Sequence, residues 1–405
     1  MPDISRLSRR HLLRWGLALV PLGVASRVFA LSSTEPTSTL VKRVVRSPKG
    51  TYFTYPHSNG FLADGSCVLA SPTGNPGNGP KDIVRFDLER EEASLITRVS
   101  DSRMYYAVSG NGQMLFDRVH GVSVVDLTKK NQPVRDVFSD AGIFPHDCDI
   151  SVDGSSALVT HRHAAAEGSA SQPGKLVHRL DLIDIASGKA RTLVVADWVL
   201  DHAHFSPFDP SWISYCCDEP KRYQRMWVWH AKQAPKGRPL FEQVKSDGTK
   251  FDIGHERAMF NKAASVVIAY GSESDAQPCG LYEVGFDGTT RLISESNRDF
   301  HCNVSRDGRW AVVSLQGTLE TLESRPKGNW RSHAEGYGFS DVMVVNMKNG
   351  RREFLYRATN SAKGQPYEVQ PTISPDGRWV VMKDASEQRV IGVEVDQSKL
   401  AAFLS

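Results

Sequence analysis

The chain has 405 residues, of which 40% are hydrophobic, with 49 Lys and Arg against 46 Asp and Glu. This length permits several domains or one large repeat assembly, so the repeat pattern must decide between them. Five arginines and one acid fall within residues 1–30, and the remainder is close to neutral. The charge balance therefore argues against a nucleic-acid-binding protein, which would need a basic face.

The N-terminal segment has the pattern of an export signal. A twin-arginine pair precedes an apolar run over residues 15–25, and Val28-Phe29-Ala30 resembles the A-x-A pattern of a signal-peptidase site, with cleavage after Ala30. A transmembrane anchor would need about 20 apolar residues, and Pro21 interrupts this run. We expect a twin-arginine signal peptide over 1–30 and a single periplasmic domain, without a membrane span, over 31–405.

A short motif recurs seven times in the mature chain. It consists of a hydrophobic β-former, a serine or similar residue and an Asp-Gly or Asn-Gly turn, which supplies the positive φ angles of a tight hairpin. The copies lie 42 to 69 residues apart, against a period of about 40–50 for four-stranded propeller blades. The pattern predicts an all-β, seven-bladed β-propeller with TolB- or WD40-like blades. The turns centre on Asp64, Asn111, Asp153, Asp209, Ala263, Asp307 and Asp376.

Two further features concern the last blade. Few residues follow Gly377, so we expect residues 40–45 to supply its missing strand and to close the ring without an exposed edge. The long interval before Asp376 contains residues 316–338, which are rich in glycine, serine and charge. We interpret that segment as a loop on one face of the propeller.

Polar side chains occupy one equivalent place in the repeats, three to five residues before the hydrophobic β-former. At the entry of each first strand they would converge on one end of the central channel. A single histidine is normally structural, but a convergent set forms the kind of concave polar pocket in which chemistry occurs. Histidine suits a general base or a metal ligand, and the residues alone leave both open. The positions hold His57, Tyr105, His146, His202, His255, His301 and Gln370.

Three short motifs resemble one known family. The stretch from His202 to Asp209, followed by Arg225-Met-Trp, is similar to the corresponding part of the oligogalacturonate lyases, polysaccharide lyase family 22. Gly254-His255-Glu256 matches that family's Gly-His-Glu signature one blade later. The resemblance covers essentially the whole mature chain. It implies a carbon–oxygen lyase that splits short uronic-acid oligosaccharides, as in pectin degradation, by β-elimination to unsaturated uronates.

The resemblance also implies roles for individual residues. His255 would be the Brønsted base, and Arg225 would hold the substrate carboxylate, whose negative charge builds as the adjacent C5 proton leaves. We expect Glu256 to orient His255 or to cap a neighbouring amide. His204, two residues after His202, is expected on the same strand face. The expected substrate contacts are His202, His204, His146, His57 and Tyr105.

The family's metal is manganese, bound by a histidine at the position of His301 and by a Gln-x-x-His-x-His stretch. Here that stretch contains Gln365, Glu368 and Gln370, so both of its histidines are replaced. Carboxylate and amide oxygens still suit a hard divalent cation such as Mn²⁺. Two alternatives follow: a divalent site retuned to these four residues, or a lost site in which arginines alone hold the carboxylate.

A second class of function is compatible with the same repeats. A non-catalytic, TolB-like propeller would bind a protein or sugar partner, but it would need no ordered pocket of histidine and arginine. A propeller-gated serine peptidase is excluded because the chain has no Gly-x-Ser-x-Gly elbow. The sequence therefore favours the lyase over the binding protein.

Overall fold

The structure is a computed structural model that describes ten segments of the chain. Within them the chain forms 27 strands in seven sheets and one short helix. Each sheet is one blade of the ring, so the predicted all-β, seven-bladed propeller is confirmed. The described residues are 38–55, 58–73, 79–103, 105–164, 176–218, 224–243, 251–272, 278–319, 338–361 and 368–405.

The chain begins with β1 (Val41–Arg46), which belongs to the last blade, and then builds the blades in order. Blade 1 contains β2 (Cys67–Pro72), β3 (Gly79–Asp87) and β4 (Glu92–Ser102), and two isolated bridges, Tyr52 to Ala70 and Phe61 to Cys67, stand in for its innermost strand. Blade 2 contains β5 (Tyr106–Val108), β6 (Gln113–Arg118), β7 (Gly121–Asp126) and β8 (Arg135–Ser139). Blade 3 contains β9 (Ile143–Ile150), β10 (Ser156–Ala164), β11 (Leu176–Asp184) and β12 (Ala190–Ala196).

The next three blades have the same antiparallel order, with the innermost strand first. Blade 4 contains β13 (Leu200–Phe205), β14 (Trp212–Cys217), β15 (Met226–His230) and β16 (Ala234–Pro239). Blade 5 contains β17 (Phe251–Ala258), β18 (Ala264–Ser272), β19 (Gly280–Gly285) and β20 (Thr290–Glu295). Blade 6 contains β21 (Asp299–Val304), β22 (Trp310–Leu315), β23 (Phe339–Asn346) and β24 (Arg352–Thr359).

Blade 7 closes the ring. It contains β25 (Thr372–Ile373), β26 (Trp379–Asp384) and β27 (Arg389–Val395), and β1 pairs antiparallel with β27 as its outer strand. This confirms the expected closing role of the N-terminal segment. A helix, α1 (Gln397–Leu404), follows β27 and buries Leu400, Phe403 and Leu404 against this blade.

The repeated turns connect each innermost strand to the second strand of its blade, and their side chains explain the motif. In blade 3 the Asp153 carboxylate accepts a hydrogen bond from the Ser151 hydroxyl at 2.6 Å and from the Ser155 amide at 3.0 Å. Gly154 has φ 73°, and a Cβ there would lie 2.7 Å from the side chain of Asn111. The turn therefore needs both the acid and the glycine.

Two further findings concern the cysteines and the membrane. Each of the six cysteines has a free thiol, and all but Cys279 are buried. Among the described residues, no helix has the length and apolar character needed to cross a membrane. The segments assigned to the export signal and to most of the loop at 316–338 lie outside the described residues.

Ring closure can be tested at Val45, which is buried between blades 7 and 1 in a cluster with Phe53 and Trp379. Val45→Asp is expected to lower the free energy of unfolding by about 3 kcal/mol, because it buries a carboxylate without a partner. Val195→Asp is the matched control, since Val195 is 61% exposed on the outer strand β12. Urea unfolding that gave equal losses for both variants would contradict the closing role.

Candidate active site

Four of the predicted histidines share a local backbone feature. The pairing of β9, β13, β17 and β21 with the next strand slips by one residue, so each innermost strand carries an extra residue in a β-bulge. His202 and His255 have φ 47° and 54°, in the left-handed region that few non-glycine residues adopt. Bulges of this kind redirect side chains and are frequent beside active sites. The bulges contain or adjoin His146, His202, His255 and His301.

Tyr55, which the sequence analysis did not select, lies at the centre of the pocket. Its ring centroid is 5.3 Å from His202, 6.2 Å from His255, 6.1 Å from His301 and 5.5 Å from Tyr105. Its hydroxyl lies 2.6 Å from Nδ1 of His255. Four of the predicted residues therefore do converge, around one tyrosine from blade 1.

The sequence analysis placed His57 at the blade 1 position, and His57 lies outside the described residues. Blade 1 lacks a regular innermost strand, so counting back from Phe61 gives no reliable register there. The signal that was available is the spacing of two residues between Tyr55 and His57, which in an extended chain puts both on one face.

Glu256 holds together two cationic side chains of the pocket. Its carboxylate accepts a hydrogen bond from Nδ1 of His202 at 3.2 Å, and Nε of Arg225 lies 3.6 Å from its other oxygen. Arg225 also donates to Asp218 at 2.6 Å. We expected Glu256 to orient His255, but its carboxylate contacts His202 instead. The bulge at His255 turns the adjacent side chains of His255 and Glu256 toward different neighbours.

The two bulge histidines differ in charge. Burial lowers the pKa of His255 well below its usual range, and the neighbouring His301 and Arg225 lower it further. Burial also acts to lower the pKa of His202, but the hydrogen bond and charge of Glu256, together with Asp201, outweigh it and raise this pKa to about 9. At neutral pH the pocket therefore holds a neutral His255 and a protonated His202.

The blade 3 side of the pocket contains the remaining predicted contacts. The ring of His146 lies 5.3 Å from that of His178, and burial lowers the His146 pKa while the charge of Asp201 opposes this. His204 is 3% exposed, with Nδ1 3.9 Å from Asp149. The bulge after Asp201 breaks the alternation on which the shared face of His202 and His204 depended.

Three of the four predicted metal ligands are described and lie together. Nε2 of His301 is 3.8 Å from the Glu368 carboxylate and 3.3 Å from the Gln370 side-chain nitrogen. Gln365 lies outside the described residues. The buried Lys383 donates to the side-chain oxygen of Gln370 at 2.7 Å. Burial lowers the pKa of Lys383 to about 7, and the charge of Glu368 opposes this shift.

This arrangement does not fit a divalent cation. The Gln370 oxygen that would bind the metal accepts from Lys383, and its amide nitrogen is directed at Nε2 of His301. An amine in this place is an unfavourable neighbour for a second cation. We therefore assign no chemical step to a metal at these residues.

A second group of side chains could hold a metal ion. His202, Cys216 and Glu256 offer ligand atoms within 4.8 Å of one another. An ion there would have to displace the proton of His202 and share Glu256 with Arg225. These three side chains are of types that bind metal ions, but the negative charge of Glu256 is already balanced by His202 and Arg225.

The fold and the pocket define a seven-bladed β-propeller with histidine, tyrosine and arginine side chains gathered at one end of its channel. No protein-family model matches the chain, and no curated protein matches it significantly in sequence. The comparison with solved structures is therefore the one that carries information.

The fold is similar to that of an oligogalacturonate lyase from Vibrio parahaemolyticus, with a TM-score of 0.67 and 16% identity over 89% of this chain and 97% of that chain. It is equally similar to an oligogalacturonate lyase in complex with manganese, with a TM-score of 0.67 and 17% identity over 89% and 96% of the two chains. The fold is also similar to that of a hydrazine synthase from Kuenenia stuttgartiensis, with a TM-score of 0.52 and 14% identity over 86% of this chain and 97% of that chain. At these identities the likeness shows the fold, which the sequence motifs predicted.

The contact between Glu256 and His202 can be tested by histidine titration. Glu256→Gln is expected to lower the His202 pKa from about 9 toward or below its usual value of about 6.5. NMR of histidine-labelled protein would measure it, with Glu353→Gln on the outer strand β24 as control. An unchanged His202 pKa would contradict the pairing.

The same contact predicts a dependence of stability on pH. A histidine with a raised folded pKa stabilises the fold below its unfolded pKa, and the contribution is lost as the pH rises through about 9. Glu256→Gln should therefore lower the melting temperature more at pH 6 than at pH 10.

Proposed function

We propose that this protein is a polysaccharide lyase that cleaves short uronic-acid oligosaccharides by β-elimination. The observation that carries the proposal is the pair of bulge histidines with opposite protonation, both in ring contact with Tyr55 and next to Arg225. Groups whose surroundings separate their pKa values in this way are suited to be the base and the acid of one reaction. The likeness in fold to oligogalacturonate lyases supports the same class.

In the proposed step, neutral His255 takes the proton from C5 of the uronate. The electrons of that C–H bond form the C4–C5 double bond, and the bond from C4 to its glycosidic oxygen breaks. Protonated His202 gives its proton to this leaving oxygen, so protons balance and no redox change occurs. The products are a fragment with a new reducing end, whose hemiacetal hydroxyl contains the leaving oxygen, and a fragment that begins with an unsaturated uronate.

Tyr55 fixes which nitrogen of His255 can act as the base. Burial raises the pKa of its hydroxyl well above the usual range, and it lies 2.6 Å from Nδ1. When Nδ1–H donates to the Tyr55 oxygen, Nε2 has a free lone pair and can accept the C5 proton. Tyr55 is therefore a positioning residue for the base.

Arg225 supplies positive charge for the substrate carboxylate. It is half-buried, and its partners Asp218 and Glu256 keep the guanidinium in one place beside the bulge histidines. As C5 loses its proton, charge moves onto the carboxylate, and a preorganised guanidinium stabilises it most at that point. The remaining predicted contacts, His146, His204 and Tyr105, would line the sugar site.

The compartment follows from the N-terminal segment. Residues 1–30 have a twin-arginine signal pattern, and we propose that the protein acts in the periplasm on oligosaccharides released from larger polymers. The alternative, a propeller that binds a sugar or protein without cleaving it, is the outcome that a negative assay would support.

The assay is the rise in ultraviolet absorbance of unsaturated uronates, followed with a panel of uronic-acid oligosaccharides. His255→Ala is expected to lower kcat about 10²–10⁴-fold, as for loss of a general base. Arg225→Ala should lower kcat and raise KM, because it contacts the carboxylate in ground and transition states. Arg98→Ala, an exposed arginine paired with Asp82 in blade 1, is the matched control. Full activity of the His255→Ala variant would show that His255 is not the base.

The pH profile of kcat/KM gives an independent test. Activity should rise with pH as His255 loses its proton below its usual pKa of about 6.5, and fall near pH 9 as His202 loses its own. Glu256→Gln should move the alkaline limb to lower pH, and it should also lower the acid limb, because the charge of Glu256 raises the pKa of His255. An alkaline limb that did not respond to this variant would exclude His202 as the acid.

A further inference from the structure

The predicted metal position contains a lysine that no sequence motif indicated. Lys383 lies on β26, the second strand of blade 7, and is 1% exposed. Its side chain donates to the side-chain oxygen of Gln370, which lies just before β25 of the same blade. It also lies close enough to Glu368 and His301 for its charge to act on both.

Lys383 fixes the orientation of Gln370. The Lys383 amine donates to the Gln370 oxygen at 2.7 Å, and a protonated amine admits only this orientation, because an amide nitrogen there would place two donors together. The amide nitrogen then faces Nε2 of His301 at 3.3 Å, and this nitrogen must accept the bond. The two atoms that a metal would use are therefore both engaged by hydrogen-bond donors of the protein.

The charge balance leads to the same result. Glu368 is the one carboxylate among the described members of the predicted ligand set, and the Lys383 side chain opposes its charge. A divalent ion bound to the Gln370 oxygen would have to displace the Lys383 amine from that oxygen, with only Glu368 among these described residues to offset its charge.

We propose that Lys383 takes the place of a divalent metal in this pocket, so that His301, Glu368 and Gln370 are ordered without a metal ion. The inference deepens the proposed lyase function by making it metal-independent at this site. Lys383 acts through Gln370 and is a positioning residue.

The test measures metal binding directly. The wild-type protein, purified without chelator, is analysed for metal by mass spectrometry and titrated with Mn²⁺ by calorimetry. We expect less than about one-tenth equivalent of metal and no binding heat. Lys383→Met frees the Gln370 oxygen and removes the opposing amine, and Mn²⁺ affinity should rise about tenfold or more.

Two variants serve as controls. Lys383→Arg keeps a buried cation and should bind no Mn²⁺. Lys81→Met removes another fully buried lysine, which is bonded to the Ser102 carbonyl in blade 1, and should behave like the wild type. A gain confined to Lys383→Met would exclude a general loosening of the fold as its cause.

Two results would overturn the inference. One is a stoichiometric metal in the wild type that is lost in His301→Ala. The other is a folded Lys383→Met variant that binds Mn²⁺ no better than the wild type. If Lys383→Met does not fold, the metal content of the wild type and of Lys383→Arg decides.

Failure of the proposed function is seen separately. An active lyase that keeps its rate in chelator supports both proposals, and a chelator-sensitive lyase with bound metal overturns this inference alone. If the protein has no lyase activity on any uronate, the proposed function is ruled out. The metal measurements still decide the role of Lys383 in that case.

Discussion

The pocket depends on closure of the ring. The antiparallel pairing of β1 with β27 removes the free edge of blade 7 and holds it against blade 1. Blade 1 supplies Tyr55, and blade 7 supplies Gln370 and Lys383, so the two sides of the site belong to blades that only this closure makes neighbours. Tyr55 of blade 1 and His255 of blade 5, 200 residues apart in sequence, lie within hydrogen-bond distance in the closed ring.

Closure brings the innermost strands together, but the bulges determine what they present. A regular strand would alternate its side chains between faces, and the extra residue in four consecutive blades interrupts this near the channel entrance. Two histidines adopt left-handed backbone conformations that cost about 1–3 kcal/mol each. Contacts with neighbouring side chains must offset this cost. His202 makes such a contact with Glu256, and His255 makes one with Tyr55.

The sequence predicts those features of the fold and the site that repeat once per blade. The Asp-Gly turns are local and repeat once per blade, so they predict the number of blades, the closing strand and the convergence of His202, His255, His301 and Gln370. Tyr55 was not predicted because the described residues of blade 1 form no regular innermost strand, so its position could not be counted from the turn. The shared face predicted for His202 and His204 assumes regular alternation, and the bulge between Asp201 and His204 interrupts that alternation. Such bulges arise from contacts between strands, which no local sequence pattern records.

Lys383 was missed for a different reason, and it bears on the chemistry. It occupies a second strand, where alternation predicts core or neighbouring-blade packing, and its partner Gln370 was interpreted as a metal ligand from the resemblance alone. Glu368 and Gln370 occupy the positions at which the resemblance to the lyase family would place two histidines, and the Lys383 amine lies beside them. Amide and carboxylate oxygens accept hydrogen bonds from a lysine amine and need no metal to satisfy them. In this part of the pocket the charge of Glu368 thus has a side chain of the protein, Lys383, to oppose it.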